Sequence, residues 1–399
     1  MENSYPLDNI RVLELGTLIA GPFTGRLLGD FGADVIKIEP PDKADPMRNW
    51  GQQKDGYGLL WPVQSRNKKS ITLNLRLEEG QEIFKQLVKR ADVIIENFRP
   101  GTMEKWGLGY EQLKDINPGI IMVRTSGFGQ TGPYKDRAGF GSVGEAMGGL
   151  RYVTGFEDRP PSRIGVSIGD SLAAVFATIG CLTALYERER SGFGQVVDTA
   201  IYESVFSVME SIIPDFVLTD YVRERMGNIL PGVAPSNIYL TNDETYIVIG
   251  ANADGVFKRL CEAMDCPSLF EDERYHTHHA RGRNLKELDV IIENWTKQYS
   301  ANYILAILAE KGVPSGLIYS AKEIVEDPQY QQRNMIVNVE HEHFGQFPMP
   351  GIVPKLSRTP GDIRFPGALT MGQHNGEIYG ELLSFSSERI EQLKEREVI

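Results

Sequence analysis

The chain has 399 residues, 41% of them hydrophobic and 24% charged, a balance that supplies a large core and suggests two or three domains. A formal net charge of −12 argues against general nucleic-acid affinity, because phosphate backbones call for a positive surface. No apolar run reads as reaching the roughly 20 residues of a bilayer span, and Met1-Glu2-Asn3-Ser4-Tyr5 lacks the basic-then-apolar order of a signal peptide, so the expectation is a cytoplasmic protein with no membrane partner.

Residues 10–15 read as an apolar strand, followed by a turn at 16–21. Pro22 suits the first position of a helix running to about Asp30. Gly32 ends that helix, and residues 33–39 read as a second strand. Residues 70–75 alternate apolar and polar like a strand. Phe84, Leu87 and Val88 then fall on one face of a helix over 77–90. Residues 93–98 and 119–126 are two more strands. Strands separated by helices predict a parallel sheet covered on both faces.

Residues 172–185 are small and apolar, which predicts a buried helix, and 195–201 read as a further strand. Near 222–235 charged residues give way to Pro231, Gly232 and Pro235, a candidate linker. A strand at 246–250 and helices near 254–264, 285–298 and 301–311 predict a smaller unit. From about Asn338 the chain is rich in proline and glycine, and it ends in helical stretches near 373–384 and 386–396.

Cys181, Cys261 and Cys266 show no disulfide or metal spacing, and no Cys or carboxylate pattern completes a metal site around His276, His278, His279, His341 and His343. Gly127 to Gly132 fits G-x-G-x-x-G after a strand, but Pro133 and a charged segment follow where a dinucleotide site needs a helix N-terminus. A second match, Gly139 to Gly144, has no clear strand before it. Basic residues gather in the N-terminal half: Arg66, Lys68, Lys69, Arg76, Arg99, Lys105, Arg124, Lys135 and Arg137. Such a cluster is either a solvated face or a site for an anionic ligand. Asn97-Phe98-Arg99-Pro100-Gly101 stands at a strand end, where an amide, a ring and a guanidinium together can hold an adenine or a phosphate. Asp170 directly precedes the small-residue helix. An N-cap is its ordinary explanation, and an ionised nucleophile at the positive end of a helix is the alternative.

Several ordered segments together carry a resemblance. They are Val12-Leu13-Glu14-Leu15, Ala20-Gly21-Pro22, Gly32 to Glu39, Asn67-Lys68-Lys69-Ser70, Glu96 to Gly101, Gly169-Asp170, Gly192 to Asp198 and Gly372-Gln373-His374. On these the chain resembles the class III CoA-transferases over nearly its whole length. The resemblance implies an α/β fold: a large Rossmann-like domain with a parallel sheet formed from both chain ends, residues 1–222 and 331–399. It also implies a smaller inserted α/β domain, linker included, at 223–330, and a homodimer interlocked like linked rings. It implies that Asp170 is a covalent nucleophile and that Ala20, Asn74, Arg76, Asn97, Phe98, Arg99 and Lys105 lie along the coenzyme A site. Arg137 is added from its charge and neighbourhood. No permanently bound cofactor is implied; a coenzyme A thioester and a carboxylic acid are the substrates.

Departures narrow the resemblance. Ile19, Pro40 and Gly141 stand where formyl-CoA transferase carries other residue types, and the loop 250–255, the candidate lid, lacks that enzyme's run of glycines. The segments 138–147, 163–168 and 231–237 look closer to members acting on succinyl-CoA with malate, citramalate or related dicarboxylates. Two alternatives stand beside CoA transfer. An acyl-CoA racemase on the same fold would need a histidine in the N-terminal half, and none occurs before His276. A non-catalytic acyl-CoA-binding protein would need Asp170 only as a cap.

Overall fold

A computed structural model describes residues 5–399. Residues 1–4, part of the segment read for a signal peptide, lie outside it. The chain forms two compact units, one from residues 1–150, 164–210 and 331–399, the other from 151–163 and 211–330. The sequence puts the first crossing after residue 222. The chain instead enters the second unit first at 151–163 and again after 210, where the apolar helix Ile212–Thr219 already belongs to it.

The first unit is built on six parallel strands in the spatial order Lys68–Thr72, Asp34–Glu39, Arg11–Glu14, Val93–Glu96, Ile121–Ser126, Val196–Ala200. Chain order therefore reverses between Arg11–Glu14 and Val93–Glu96. In open sheets of this kind a crevice forms there, beyond the carboxyl ends of the strands. Strand alternation sorts the core into two layers. Val12, Val35, Val93, Ile95, Ile121 and Val123 face one side. Leu13, Ile36, Ile94 and Met122 face the other.

The first side is covered by the helix Ala20–Asp30 and the long helix Ile168–Ser191. The long helix lies on the sheet through Ala173, Ala174, Ala177, Cys181 and Ala184, residues small enough for close approach. The Thr24 hydroxyl donates to the carbonyls of Ala20 and Ala174, at 3.0 and 3.4 Å, and ties the two helices together. The second side is covered by the helix Glu78–Val88 and by residues from the end of the chain, Tyr379, Leu393, Val398 and Ile399. The Tyr379 hydroxyl donates to the Thr72 carbonyl, and the Asn74 amide donates to the Val398 carbonyl at 2.8 Å. Both ends of the chain thus build one layer.

Two expectations need correction. The long helix has 24 residues and is apolar enough to cross a membrane by length and composition, although no such run is read from the sequence. Val175, Ile179 and Leu182 on its exposed side raise its hydropathy, whereas the alanines and Cys181 form the stripe packed on the sheet. The basic cluster is neither wholly a solvated face nor wholly a ligand site. Arg66 is buried on Asp30, with contacts of 2.8 and 2.5 Å. Lys68 is buried on Glu14 at 2.7 Å, and Arg124 pairs with Glu96 and Glu104 at 2.6 Å each.

The second unit has an antiparallel three-stranded sheet, Ser315–Leu317, Tyr246–Gly250 and Ser236–Leu240. The helices Asp254–Ala263, Leu285–Thr296 and Ala301–Glu310 pack on it around Ile247, Ile249, Phe257 and Ile292. The buried Arg281 guanidinium donates to the carbonyls of Ala234, Tyr275 and Asn252 and pairs with Asp254 at 2.7 Å. It thereby fixes the loop 250–255.

Gly25 lies against the buried Glu14 carboxylate, and a Cβ at that position would collide with it. Gly25→Ala is expected to destabilise the fold by roughly 1–3 kcal/mol in a urea titration. An unchanged midpoint would mean that Glu14 is free to move.

Candidate active site

The site grows from the loops at the point where strand order reverses. Strand Arg11–Glu14 runs into Gly16-Thr17-Leu18-Ile19, with Leu18 at φ 64°. Strand Val93–Glu96 runs into Asn97 and Phe98. The Asn97 side chain joins the two loops: its Oδ1 accepts from the Thr17 amide at 2.8 Å, and its Nδ2 donates to the Thr17 carbonyl at 2.9 Å. Gly16 and Gly21 approach each other and Asn97 so closely that a Cβ on either would be crowded.

Below these loops lies a buried charge network. The Lys37 ammonium donates to the Gly16 carbonyl and pairs with Asp45 at 2.8 Å and Glu14 at 3.3 Å. Asp45 in turn accepts from the Leu18 and Met47 amides at 3.1 and 3.0 Å. Burial opposes the charge on Lys37, but Asp45 and Glu14 outweigh it and hold its pKa above the ordinary lysine value. Burial would likewise raise Asp45, but Lys37 and the two amides hold it below the usual carboxylate range. Lys68 donates to the Pro22 carbonyl at 2.5 Å. Burial brings its pKa down to about 8 against the opposing pull of Glu14. Glu39 is clamped by Arg48 at 2.9 and 2.7 Å, so it is not available to a ribose hydroxyl.

A cavity of about 270 Å³ opens over this network. Leu15, Ile38, Leu73, Leu75, Phe98 and Trp106 supply apolar walls, with Phe98 and Trp106 edge to face at 5.4 Å. Lys43, Asn74 and Arg76 supply polar groups. Flat apolar surface beside cations suits a ring that carries phosphate.

Of the residues singled out from the sequence, Asn74, Arg76 and Phe98 line this cavity. Ala20 is buried as the first residue of its helix, after the Gly16 loop. Asn97 lies beside that loop with its amide engaged by Thr17. Arg99 and Lys105 are exposed around the short helix Thr102–Lys105 and do not line the cavity. Arg137 stands apart on the exposed loop after strand Ile121–Ser126, with its guanidinium 3.6 Å from the centre of the Tyr134 ring. Lys43 and Trp106 are lining residues that sequence reasoning missed. Lys43 follows the carboxyl end of a strand, and that position was the available signal.

Asp170 is not the N-cap that its place in the sequence suggests. The helix starts at Ile168 with Ser167 as its cap, so Asp170 lies in the first turn, half-buried at the positive end of the helix dipole. Its carboxylate rests against the bare Cα of Gly141, where a Cβ would collide with it. Gly144 and Gly148 press the helix Gly141–Met147 onto Ile201 and Val205. Glu145, a buried carboxylate not singled out from the sequence, borders Gly169. The long helix leads back to strand Val196–Ala200 as the helix Ala20–Asp30 leads back to Asp34–Glu39. Both helices therefore run against the strands, and Asp170 shares the carboxyl edge of the sheet with the cavity. Among the described residues no group of His, Cys, Asp or Glu is placed to hold a metal ion.

Asn97→Ala removes both bonds to Thr17 and is expected to cost about 1–3 kcal/mol in a urea titration; no loss would mean the loop is held elsewhere. Asp45 and Glu39 are held below the usual carboxylate range. Their contribution to stability is complete above the unfolded carboxylate value, about pH 4, and is lost as pH falls through their depressed values. The urea midpoint should therefore drop on acidification below about pH 4, and less steeply in Asp45→Asn.

Comparison with known proteins gives this geometry its setting. The family model of CoA-transferase family III matches residues 7–375. The chain is similar to the succinyl-CoA–D-citramalate CoA-transferase of Chloroflexus aurantiacus, with 56% identity over 99% of this chain and 98% of that one. The succinyl-CoA–L-malate CoA-transferase alpha subunit of Chloroflexus aurantiacus is 38% identical over 100% of this chain and 94% of its own. A crystal structure of a CaiB/BaiF family protein from Brucella suis superposes with a TM-score of 0.82 at 36% identity, over 95% of this chain and 99% of that one. With matches that span whole chains in sequence and in fold, the chain belongs to CoA-transferase family III and is an enzyme of that family.

Proposed function

We propose that the enzyme moves coenzyme A from succinyl-CoA to a dicarboxylic acid of the citramalate type, with Asp170 as its covalent nucleophile. The relative 56% identical over almost the full length supports this substrate pair. The observation that carries the nucleophile is the carboxylate in the first turn of the long helix, at the positive end of the helix dipole and seated against Gly141, where any larger residue would collide with it.

The chemistry follows from the residue. A free carboxylate cannot be exchanged directly for a thiolate, so two acyl transfers through the enzyme replace one difficult step. The Asp170 carboxylate attacks the thioester carbonyl, the C–S bond breaks, and a mixed anhydride forms with release of CoA thiolate. The thiolate attacks the aspartyl carbonyl, which frees the donor acid and leaves an aspartyl-CoA thioester. The acceptor carboxylate attacks that thioester, and the thiolate then takes the acceptor acyl group and restores Asp170. Each tetrahedral oxyanion needs hydrogen-bond donors, and each anhydride needs protection from water. The adenosine end of CoA would occupy the cavity lined by Phe98, Trp106, Asn74 and Arg76.

The interlocked homodimer belongs to the same proposal. Val175, Ile179 and Leu182 are exposed on the side of the long helix away from the sheet. With Leu7, Phe23, Leu27 and Phe31 they line an apolar cavity of about 570 Å³, surface that a second chain could cover.

Incubation with succinyl-CoA followed by an acid quench should leave an adduct on the Asp170 peptide in mass spectrometry. Asp170→Ala should abolish the adduct and lower turnover at least about 1000-fold. Turnover retained in that variant would remove Asp170 from the mechanism. Gly141→Ala should push the carboxylate aside and cut turnover about 100-fold with CoA affinity unchanged. Equal turnover would mean that the carboxylate does not depend on that gap.

A further inference from the structure

The rim of the cavity carries an ion pair that the fold does not require. Arg76 follows strand Lys68–Thr72, and Asp42 follows the neighbouring strand Asp34–Glu39. Their side chains meet at 2.5 Å while both stay more than half exposed, at 56% and 53%. Arg76 is also steered by Asn74, whose Oδ1 accepts from the Arg76 Nε at 3.2 Å. An ion pair this exposed adds little to stability. The two acids that line the cavity, Glu39 and Asp45, are buried and already engaged by Arg48 and Lys37. Asp42 differs: it is exposed, and it occupies a cation on the cavity wall. Arg76 holds the Asp42 carboxyl below its usual range, so Asp42 is charged at neutral pH.

A guanidinium fork that grips a carboxylate grips a phosphate by the same donors, and the phosphate brings more charge and more oxygens. We propose that Asp42 is a built-in competitor that holds Arg76 in the free enzyme and surrenders it to a phosphate of coenzyme A. This rests on the reading that the cavity takes CoA. Asp42 keeps Arg76 in place between turnovers, and it weakens the apparent affinity by the fraction of molecules in which Arg76 is already occupied. An enzyme that must release an acyl-CoA product in every cycle gains from such a limit on tight binding.

The test uses the full-length enzyme, with CoA and pantetheine as probes and calorimetry as the readout. Asp42→Asn should tighten CoA binding about three- to tenfold and leave pantetheine, which has no phosphate, unchanged. Arg76→Gln should weaken CoA binding, and Asp42→Asn added to Arg76→Gln should bring no gain. Equal or weaker CoA binding by Asp42→Asn overturns the proposal. So does an equal gain for pantetheine. So does a gain that persists in the double variant, since it would come from removing one negative charge at long range. Failure of the unaltered enzyme to bind CoA would instead sink the assignment of the cavity.

Discussion

A buried lysine ammonium lies under the point where the strand order reverses. Lys37 is shared between Glu14, Asp45 and the Gly16 carbonyl, and Lys68 holds the other side of Glu14 and the Pro22 carbonyl. Two cations and two anions cancel there. Each would be costly alone in the interior, and removing any one would strand a buried charge. Because the lysines come from one pair of strands and their carbonyl partners from the turn after a third and from the first turn of the helix that follows it, the network ties that turn and helix to the sheet. Asn97 adds the second tie, from the far side of the crevice.

With that turn in place the rest of the site follows. The helix Ala20–Asp30 starts from it, and Thr24 joins that helix to the long one that presents Asp170. Small residues make each approach possible. Gly25 leaves room for Glu14, Gly141 leaves room for Asp170, and the alanine stripe seats the long helix on the sheet. The site is thus shaped by side chains that are missing as much as by those present. At Gly141 a side chain would collide with the Asp170 carboxylate, so glycine there lets the two elements meet.

Much of this arrangement was legible in the sequence. The alternation of strands and helices predicts the parallel sheet, and the strand ends place Asn74, Arg76 and Phe98 at its carboxyl edge, where they line the cavity. The fate of the basic cluster was not legible. Arg66 finds Asp30, 36 positions away, and only the fold brings the two together. Composition alone cannot separate such internal pairs from a solvated face. Asp170 looks like a cap because the small-residue run follows it directly, yet the helix begins two residues earlier and Ser167 takes the cap position. The crossing read at 222 is placed too late because charge and proline mark the linker in sequence, whereas the apolar helix Ile212–Thr219 already belongs to the second unit. Lys43 and Trp106 escaped notice because neither belongs to a motif; position beyond a strand end is the only signal for Lys43, and Trp106, which follows the helix Thr102–Lys105, has none.

The central claim is that an oxygen of Asp170 passes through the reaction. Turnover with succinyl-CoA and an acceptor acid carrying oxygen-18 in its carboxylates tests it directly. In the proposed sequence the acceptor leaves one of its oxygens on the enzyme, so the Asp170 peptide should gain 2 Da after turnover, and after further cycles the label should reach the released succinate. Product formed while that peptide stays unlabelled would contradict the account.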